Sequence, residues 1–243
     1  MNLARVAVPV LTLRNTNGRI DAVATREYAQ RAVATWIDVF ILCGTIGEGE
    51  QLDDAERRQV IETWSSVVPT ERLVACAWQV NDFHYIDALD LKPMSVLQGF
   101  EDESALLRSL AELPPESYVY SHPKYSPVTF SDSIAHRARK NGSMPGGGKI
   151  CKVSLAEVSA LRKATGHTFA LYDGRCRHVA RSVDAGATGV IAVPLSYLPR
   201  ELPDRDDAEA LQRLIDQTQA RIDSTPTLAG RMDLLTRLLR AEG

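Results

Sequence analysis

Short apolar runs alternate with amphipathic stretches along most of the chain. The apolar runs are rich in Val, Ile, Leu and Ala, and we interpret them as short strands that are covered on both faces. The strands are predicted at residues 5–12, 38–43, 72–78, 94–98, 117–120, 149–153, 168–172 and 188–193. Helices are predicted between and after them, at residues 21–36, 53–67, 83–91, 102–112, 131–140, 155–164, 175–185, 206–222 and 228–240.

This alternation of strand and helix indicates the α/β class. Eight such units are enough to close a (β/α)8 TIM barrel, in which parallel strands form the inner ring. An open doubly wound sheet is the alternative, but the chain lacks the GxGxxG turn that often opens such a sheet. We therefore predict a barrel over residues 1–200, with C-terminal helices over residues 201–243 packed on it as part of the same domain.

The composition is that of an ordinary soluble globular protein. The 243 residues carry a net charge of −3, with 44% hydrophobic and 24% charged residues. This mild acidity gives no reason to expect nucleic acid or a membrane as a partner, and no apolar run reaches the ~20 residues of a membrane span. The first residues lead directly into a strand, so no signal peptide is expected. The four cysteines form no CxxC pair, which indicates reduced thiols and a cytoplasmic protein.

A lysine interrupts the sixth apolar run. Lys152 lies between Cys151 and Val153, where burial of an unpaired ammonium would be costly. Burial would lower the pKa of this amine and leave a neutral nucleophile, as a Schiff-base enzyme requires. The alternative is a strand-end lysine whose ammonium reaches water. Lys149 lies on the opposite face by strand alternation, and we expect it near the solvent at the bottom of the barrel.

Three strand ends carry motifs that resemble those of one enzyme family. They are residues 44–48 (GTIGE) after the second strand, 120–123 (YSHP) after the fifth, and 150–152 (ICK) in the sixth. They are similar to the GTTGE, Tyr-Asn-x-Pro and Gly-x-Lys motifs of the dihydrodipicolinate synthase and N-acetylneuraminate lyase family of class I aldolases. The resemblance extends over about residues 5–200, and the order of the motifs on the strands makes it fairly specific.

The resemblance implies a lyase or aldolase that forms a Schiff base with pyruvate or a related 2-oxo acid and needs neither a cofactor nor a metal ion. Lys152 would form the imine, Tyr120 would move protons, and Thr45 would hold Tyr120 in place. The backbone amides of Thr45 and Ile46 would bind the substrate carboxylate. The substrate-binding positions that it implies are Ile46, Gly47, Ile191 and Lys124. A homo-oligomer is compatible with the resemblance.

The chain also departs from the motifs of the family. Ile46 replaces the second threonine, so one hydroxyl is missing, and Ser121 replaces the asparagine that follows the tyrosine. Tyr125 occupies the position of an arginine in the synthases, and Lys124 precedes it. This difference indicates an altered pocket for the second substrate. The alternative function is a barrel that binds a small carbonyl or carboxylate compound without efficient turnover.

Overall fold

Eight parallel strands form a closed barrel in the computed structural model, which describes residues 5–242. Each strand pairs with the next along the chain, and the eighth pairs with the first. The strands are β1 (Arg5–Pro9), β2 (Val39–Leu42), β3 (Leu73–Ala77), β4 (Lys92–Val96), β5 (Tyr118–Ser121), β6 (Gly147–Ile150), β7 (Ala170–Asp173) and β8 (Gly189–Ile191). This topology confirms the predicted TIM barrel and excludes the open sheet.

Helices follow the strands and surround the barrel. They are α1 (Ala22–Val33), α2 (Asp54–Ser65), α3 (Val80–Ala88), α4 (Glu103–Ala111), α5 (Asp132–Lys140), α6 (Leu155–Thr165), α7 (Val179–Asp184), α8 (Ala208–Asp223) and α9 (Leu228–Glu242). The capping signals in the sequence fix several helix starts. Asp21 accepts a hydrogen bond from the N–H of Ala24 at the start of α1, and Asp53 and Glu56 form the predicted capping box of α2.

Side chains of the strands alternate between the barrel interior and the surrounding helices. On β5, Tyr118 and Tyr120 belong to the cluster of interior side chains, whereas Val119 belongs to a cluster under the helices. Other members of the interior cluster are Ala7, Val39, Ile41, Val74, Cys76, Met94, Val96, Cys151, Tyr172 and Ile191. Side chains therefore fill the barrel interior, and a ligand can contact them only at the ends of the strands.

The position of β6 corrects the expectation for the two lysines. The strand ends at Ile150, and the chain then takes a left-handed turn at Lys152, with a φ of 63°, before Ser154 caps α6. Lys152 is exposed and lies beyond the strand, so its expected inward position is wrong. Ile150 faces the helices, and by alternation Lys149 faces the barrel interior. The expectation that Lys149 reaches solvent is also wrong.

The C-terminal helices pack on the outside of the barrel near its first strand. Side chains of α8 and α9, among them Ile215 and Leu235, share one hydrophobic cluster with Val8 of β1. Arg31 of α1 also donates a hydrogen bond to the carbonyl of Leu239 at 2.9 Å. The expected assignment of these helices to the barrel domain stays a prediction. Within residues 5–242, none of the helices combines the length and the apolar character needed to cross a membrane.

Candidate active site

Lys149 lies on the inner face of β6, close to the C-terminal end of the strand. Its register partners are Tyr120 on β5 and Tyr172 on β7, whose side chains also face the interior. Only 6% of Lys149 is exposed, and its Nζ lies 4.0 Å from the centre of the Tyr120 ring. No carboxylate in the described part of the chain forms an ion pair with this amine. The arrangement holds a primary amine against a phenol where water is scarce.

Three hydroxyl groups form a chain beside this amine. The Oγ1 of Thr45 lies 3.0 Å from the hydroxyl of Tyr120 and 2.9 Å from the hydroxyl of Tyr125. Thr45 belongs to the loop after β2, and the two tyrosines belong to β5 and to the loop that follows it. Because a hydroxyl can both donate and accept, the three groups can exchange protons along one path.

The loop after β2 is held rigidly at the rim of the barrel. Glu48 accepts a hydrogen bond from Arg14 at 2.8 Å, and the carbonyl of Gly47 accepts one from Thr12 at 2.6 Å. A Cβ at Gly47 would lie only 2.7 Å from the carbonyl oxygen of Val10, so a side chain there would push the loop away. These contacts fix Thr45 opposite Tyr120.

The same loop presents backbone N–H groups to a ligand. Within residues 5–242, the amides of Thr45 and Ile46 donate no hydrogen bond to another residue. The loop that carries them is flanked by left-handed backbone at Cys43 and Glu48, with φ values of 52° and 56°. Adjacent free N–H groups in such a turn can bind an anion. The Ile46 side chain is 8% exposed and adds no polar group to this site.

Burial controls the titration of the groups around Lys149. It raises the pKa of Tyr120, of Cys151 and of Cys76, the last to about 12, so all three are neutral at pH 7. Burial lowers the pKa of the Lys149 amine, but negative charge on those three groups and a hydrogen bond with Tyr120 raise it, and the balance lies above the usual range of a lysine. Because the three groups are uncharged at pH 7, the influences that remain there are burial, which lowers the pKa, and the hydrogen bond with Tyr120, which raises it. A lysine must be neutral to attack a carbonyl.

The loop after β5 forms part of the rim. The Nδ1 of His122 accepts a hydrogen bond from the backbone N–H of Lys124 at 2.8 Å. Burial and the charges of nearby lysines lower the pKa of His122, so the imidazole is neutral at pH 7 and carries its hydrogen on Nε2. Lys124 is exposed, and its Nζ lies 3.5 Å from the carboxylate of Glu50. The rim thus offers a ligand the neutral N–H donor of His122 and the ammonium of Lys124, which is paired with Glu50.

Some of the expected site residues come together and others do not. Thr45 and Tyr120 are in hydrogen-bond contact, with Ile46 and Gly47 in the same loop. Ile191 lies in the interior cluster of the barrel, whereas Lys152 lies outside the barrel. The substrate-binding roles expected for Ile46, Gly47, Ile191 and Lys124 stay predictions. In the part of the chain that the structure describes, no cluster of His, Cys, Asp or Glu side chains could hold a metal ion.

The sequence interpretation missed two residues of this site. The segment Gly147-Gly148-Lys149 fits the Gly-x-Lys motif literally, whereas residues 150–152 lack its glycine, and this was the signal for Lys149. Tyr125 had no such signal, because its contact with Thr45 joins residues that are far apart in the chain.

Comparison with known proteins shows which proteins this chain is similar to. The model of the dihydrodipicolinate synthetase family matches residues 2–75. A 4-hydroxy-tetrahydrodipicolinate synthase from Pelodictyon phaeoclathratiforme is 24% identical over 239 residues, which cover 90% of this chain and 78% of the relative. One from Anaeromyxobacter sp. is 25% identical over 203 residues, which cover 76% and 68%. The chain is thus similar to the dihydrodipicolinate synthetase family in its N-terminal part and to synthases of that kind over most of its length. This likeness supports an enzyme of the aldolase or lyase type.

Solved structures share the fold of this chain. A variant of the Sulfolobus solfataricus 2-keto-3-deoxygluconate aldolase, in complex with pyruvate, superimposes with a TM-score of 0.77 at 17% identity and covers 98% of this chain and 85% of that one. The sialic acid aldolase of Ruminococcus gnavus gives a TM-score of 0.72 at 14% identity, covering 98% and 80%. At these identities the likeness establishes the fold alone. The chemistry of this chain therefore has to be argued from its own residues.

Proposed function

We propose that the protein is a Schiff-base lyase or aldolase in which Lys149 forms an imine with pyruvate or a related 2-oxo acid. The observation that carries the proposal is the position of the Lys149 amine. It is buried, it lies 4.0 Å from the centre of the Tyr120 ring, and it faces the barrel interior near the strand ends. The expected role of Lys152 passes to Lys149, because Lys152 is exposed and lies beyond the strand.

The reaction can be written with each group in a defined role. The neutral amine of Lys149 adds to the C2 carbonyl of the 2-oxo acid, and loss of one water gives the imine. The imine nitrogen takes up a proton, and loss of a proton from C3 of this iminium gives a neutral enamine, whose C3 attacks the carbonyl carbon of an aldehyde to form the new carbon–carbon bond and restore the iminium. The aldehyde oxygen takes up a proton, and one water hydrolyses the imine to free the product and the lysine. Cleavage follows the same steps in reverse.

Tyr120 is the group best placed to move these protons. Its hydroxyl is held by Thr45 at 3.0 Å, and its ring contacts the amine that carries the substrate. Burial raises its pKa, so the phenol enters the reaction protonated and can donate. Thr45 then acts as the positioning residue for Tyr120.

The substrate carboxylate fits the loop after β2. The amides of Thr45 and Ile46 point to no other partner in the described part of the chain, so they are free to bind an anion. Ile46 contributes a backbone N–H but no hydroxyl, and we therefore expect weak binding of pyruvate. We expect the aldehyde to bind beside His122 and Tyr125, and Tyr125 stands where the synthases carry an arginine.

Exchange of the methyl hydrogens of pyruvate tests the proposal without knowledge of the aldehyde. Imine and enamine formation exchange these hydrogens with deuterated water, and NMR measures the rate. We expect exchange with the natural protein and with Lys152→Met, and none above background with Lys149→Met. Lys149→Arg should also be inactive, because a guanidinium stays charged and cannot attack a carbonyl. Exchange that survives in Lys149→Met but is lost in Lys152→Met would contradict the assignment. Imine formation without turnover of any aldehyde would favour the non-catalytic alternative.

A further inference from the structure

We propose that His122 is a catalytic residue of the carbon–carbon bond step, in which its Nε2–H donates a hydrogen bond to the aldehyde oxygen as that oxygen becomes negative. The inference rests on the proposed function, because it concerns the aldehyde that meets the enamine on Lys149. It goes beyond that function by giving the second substrate its own group on the protein, separate from the groups that bind and activate pyruvate.

His122 lies at the rim, next to the candidate site of imine formation. Tyr120 of β5 and Lys149 of β6 are register partners inside the barrel. Beyond them, the N–H of Cys151 donates to the carbonyl of Ser121 at 3.0 Å, so the two segments stay paired up to the residue before His122. The His122 ring packs edge-on against the Tyr120 ring, with centres 6.4 Å apart, and the Tyr120 ring in turn contacts the Lys149 amine. The imidazole therefore lies on the rim side of both the phenol and the amine.

A substrate attached to Lys149 extends towards this rim, because the barrel interior below the lysine is filled. Tyr118 lies two residues before Tyr120 on β5, and its ring centre is 6.3 Å from that of Tyr172. Both side chains are buried. The C3 atom of the enamine and the aldehyde that it attacks therefore lie towards the strand ends, where His122 is found.

One ring nitrogen of His122 is fixed by the backbone, and the other is free. Nδ1 accepts a hydrogen bond from the N–H of Lys124 at 2.8 Å, so the hydrogen of the neutral ring is carried by Nε2. Within residues 5–242, Nε2 donates to no protein acceptor. The ring also packs edge-on against Tyr125, with centres 6.0 Å apart, which limits its rotation. His122 thus presents one oriented N–H to a ligand.

The surroundings of His122 favour an oxygen that gains negative charge. Burial lowers the pKa of this imidazole, as do the positive charges of Lys149, Lys152 and Lys124, so the ring is neutral at pH 7. A neutral imidazole keeps its Nε2 hydrogen and stabilises a negative oxygen as a fixed hydrogen-bond donor. The positive charge of the lysines favours the same oxygen. The proton that finally neutralises this oxygen has to come from another group.

The bond step balances when His122 is the donor and Tyr120 is the acid. C3 of the enamine forms the new bond to the aldehyde carbon, and the π electrons of the aldehyde move onto its oxygen, to which Nε2–H donates. The nitrogen of Lys149 becomes positive again as the iminium forms. Tyr120 transfers its hydroxyl proton to the oxygen. The proton that C3 lost earlier has gone to water, and water returns one proton to the phenolate.

Two conservative variants separate the roles of the two ring nitrogens. In His122→Asn, the side-chain carbonyl can replace Nδ1 as the acceptor for the N–H of Lys124, because asparagine commonly bonds the backbone two residues ahead. Its amide group is too short to reach the position of Nε2. In His122→Gln, the amide NH2 can reach that position and donate, whereas the contact with Lys124 is lost. The donor role predicts that glutamine retains aldehyde addition better than asparagine, and a purely structural role predicts the reverse.

Each variant is measured in two reactions. Deuterium exchange at the methyl group of pyruvate needs no aldehyde, whereas NMR of the 4-hydroxy-2-oxo acid product reports addition to glycolaldehyde, glyceraldehyde or benzaldehyde. We expect His122→Asn to slow addition by about 10²–10³-fold, the effect of losing one oxyanion donor, and to slow exchange by less than about threefold. Addition by His122→Gln should be at least about tenfold faster than by His122→Asn. His136→Asn, at an exposed histidine of α5, is the matched control and should retain both rates.

Each outcome of this comparison supports or overturns the inference. Equal losses of exchange and addition in His122→Asn would overturn it, because they would show damage to the whole site. Normal addition by His122→Asn, or addition by His122→Gln that is equally slow, would also overturn it. Pyruvate exchange by the natural protein without addition to any of the three aldehydes would overturn this inference alone. Absence of both exchange and a borohydride-trapped adduct with pyruvate would overturn the proposed function and the inference together.

Discussion

Replacement of Lys149 by methionine should make the protein more stable while it removes activity. The lysine is 6% exposed and forms a hydrogen bond with Tyr120 but no ion pair within the described residues, so its head group is only partly compensated for the hydration it loses. Methionine has a similar unbranched shape and carries no group that loses hydration on burial. A residue that lowers stability in this way is typical of a site kept for function.

The size of the effect follows from three contributions. Burial of a poorly partnered polar group costs about 1–3 kcal/mol, and Lys149→Met removes this cost. The contact between a charged amine and the Tyr120 ring would be lost, at about 0.5–2 kcal/mol, although it applies only to the protonated fraction. A sulfur–aromatic contact of about 0.3–1.5 kcal/mol takes its place. The middle values of these ranges give a net gain of about 2 kcal/mol in the free energy of unfolding.

Chemical denaturation at pH 7 measures this gain. Urea unfolding of the natural protein and of Lys149→Met, followed by circular dichroism, should show a higher midpoint with the same slope. The melting temperature should rise by roughly 2–4 °C for each kcal/mol in a chain of this size. Lys152→Met is the matched control: the side chain is exposed, and the change should stay within about 0.5 kcal/mol. Equal or lower stability of Lys149→Met would refute the reasoning, because it would mean that the amine is well satisfied and not poised for attack.

Three further predictions concern the loop after β2 and the interior thiols. Thr45→Val should raise the barrier for pyruvate exchange by about 2–4 kcal/mol and leave the melting temperature nearly unchanged; a normal rate with a weakened fold would make Thr45 only a turn residue. Gly47→Ala should destabilise by about 1–3 kcal/mol and weaken pyruvate binding, because its Cβ would lie 2.7 Å from the carbonyl of Val10; urea unfolding and the half-saturating pyruvate concentration measure both effects. Burial raises the pKa of Cys76 from 9.0 to about 12, so the unfolded chain loses this proton first and stability should fall as the pH rises from 9 to 12. In Cys76→Ala the free energy of unfolding should fall less steeply with pH, by about 1.4 kcal/mol per pH unit. An unchanged slope in unfolding experiments across this alkaline range would contradict the prediction.

The pattern of apolar and polar residues was sufficient to predict the barrel and to bring Thr45 and Tyr120 of the candidate site together. Strands covered on both faces leave continuous apolar runs, and their alternation with helices admits few topologies. Thr45 and Tyr120 follow strands directly, and parallel strands bring their C-terminal ends to one rim. The contact between these two residues therefore follows from order along the chain.

Lys149 was misplaced because a strand end is hard to locate from hydrophobicity alone. The apolar character continues through Cys151 and Val153, but the capping box of Ser154 and Glu157 starts α6 and forces a turn after Ile150. Alignment of the Gly-x-Lys motif with residues 150–152 assigned the inward face to Lys152, and alternation along the strand then placed Lys149 on the opposite face. The contact between Tyr125 and Thr45 depends on the packing of two loops, and such tertiary contacts have no local sequence signal.

The site of imine formation is the most direct test of the account. The natural protein is incubated with pyruvate and sodium borohydride, which reduces the C=N bond to a stable secondary amine, and the digested protein is then mapped by mass spectrometry. The account predicts that the peptide position of Lys149 gains the mass of pyruvic acid less one oxygen atom, whereas Lys152 stays unmodified. An adduct at Lys152, with Lys149 unmodified, would contradict it.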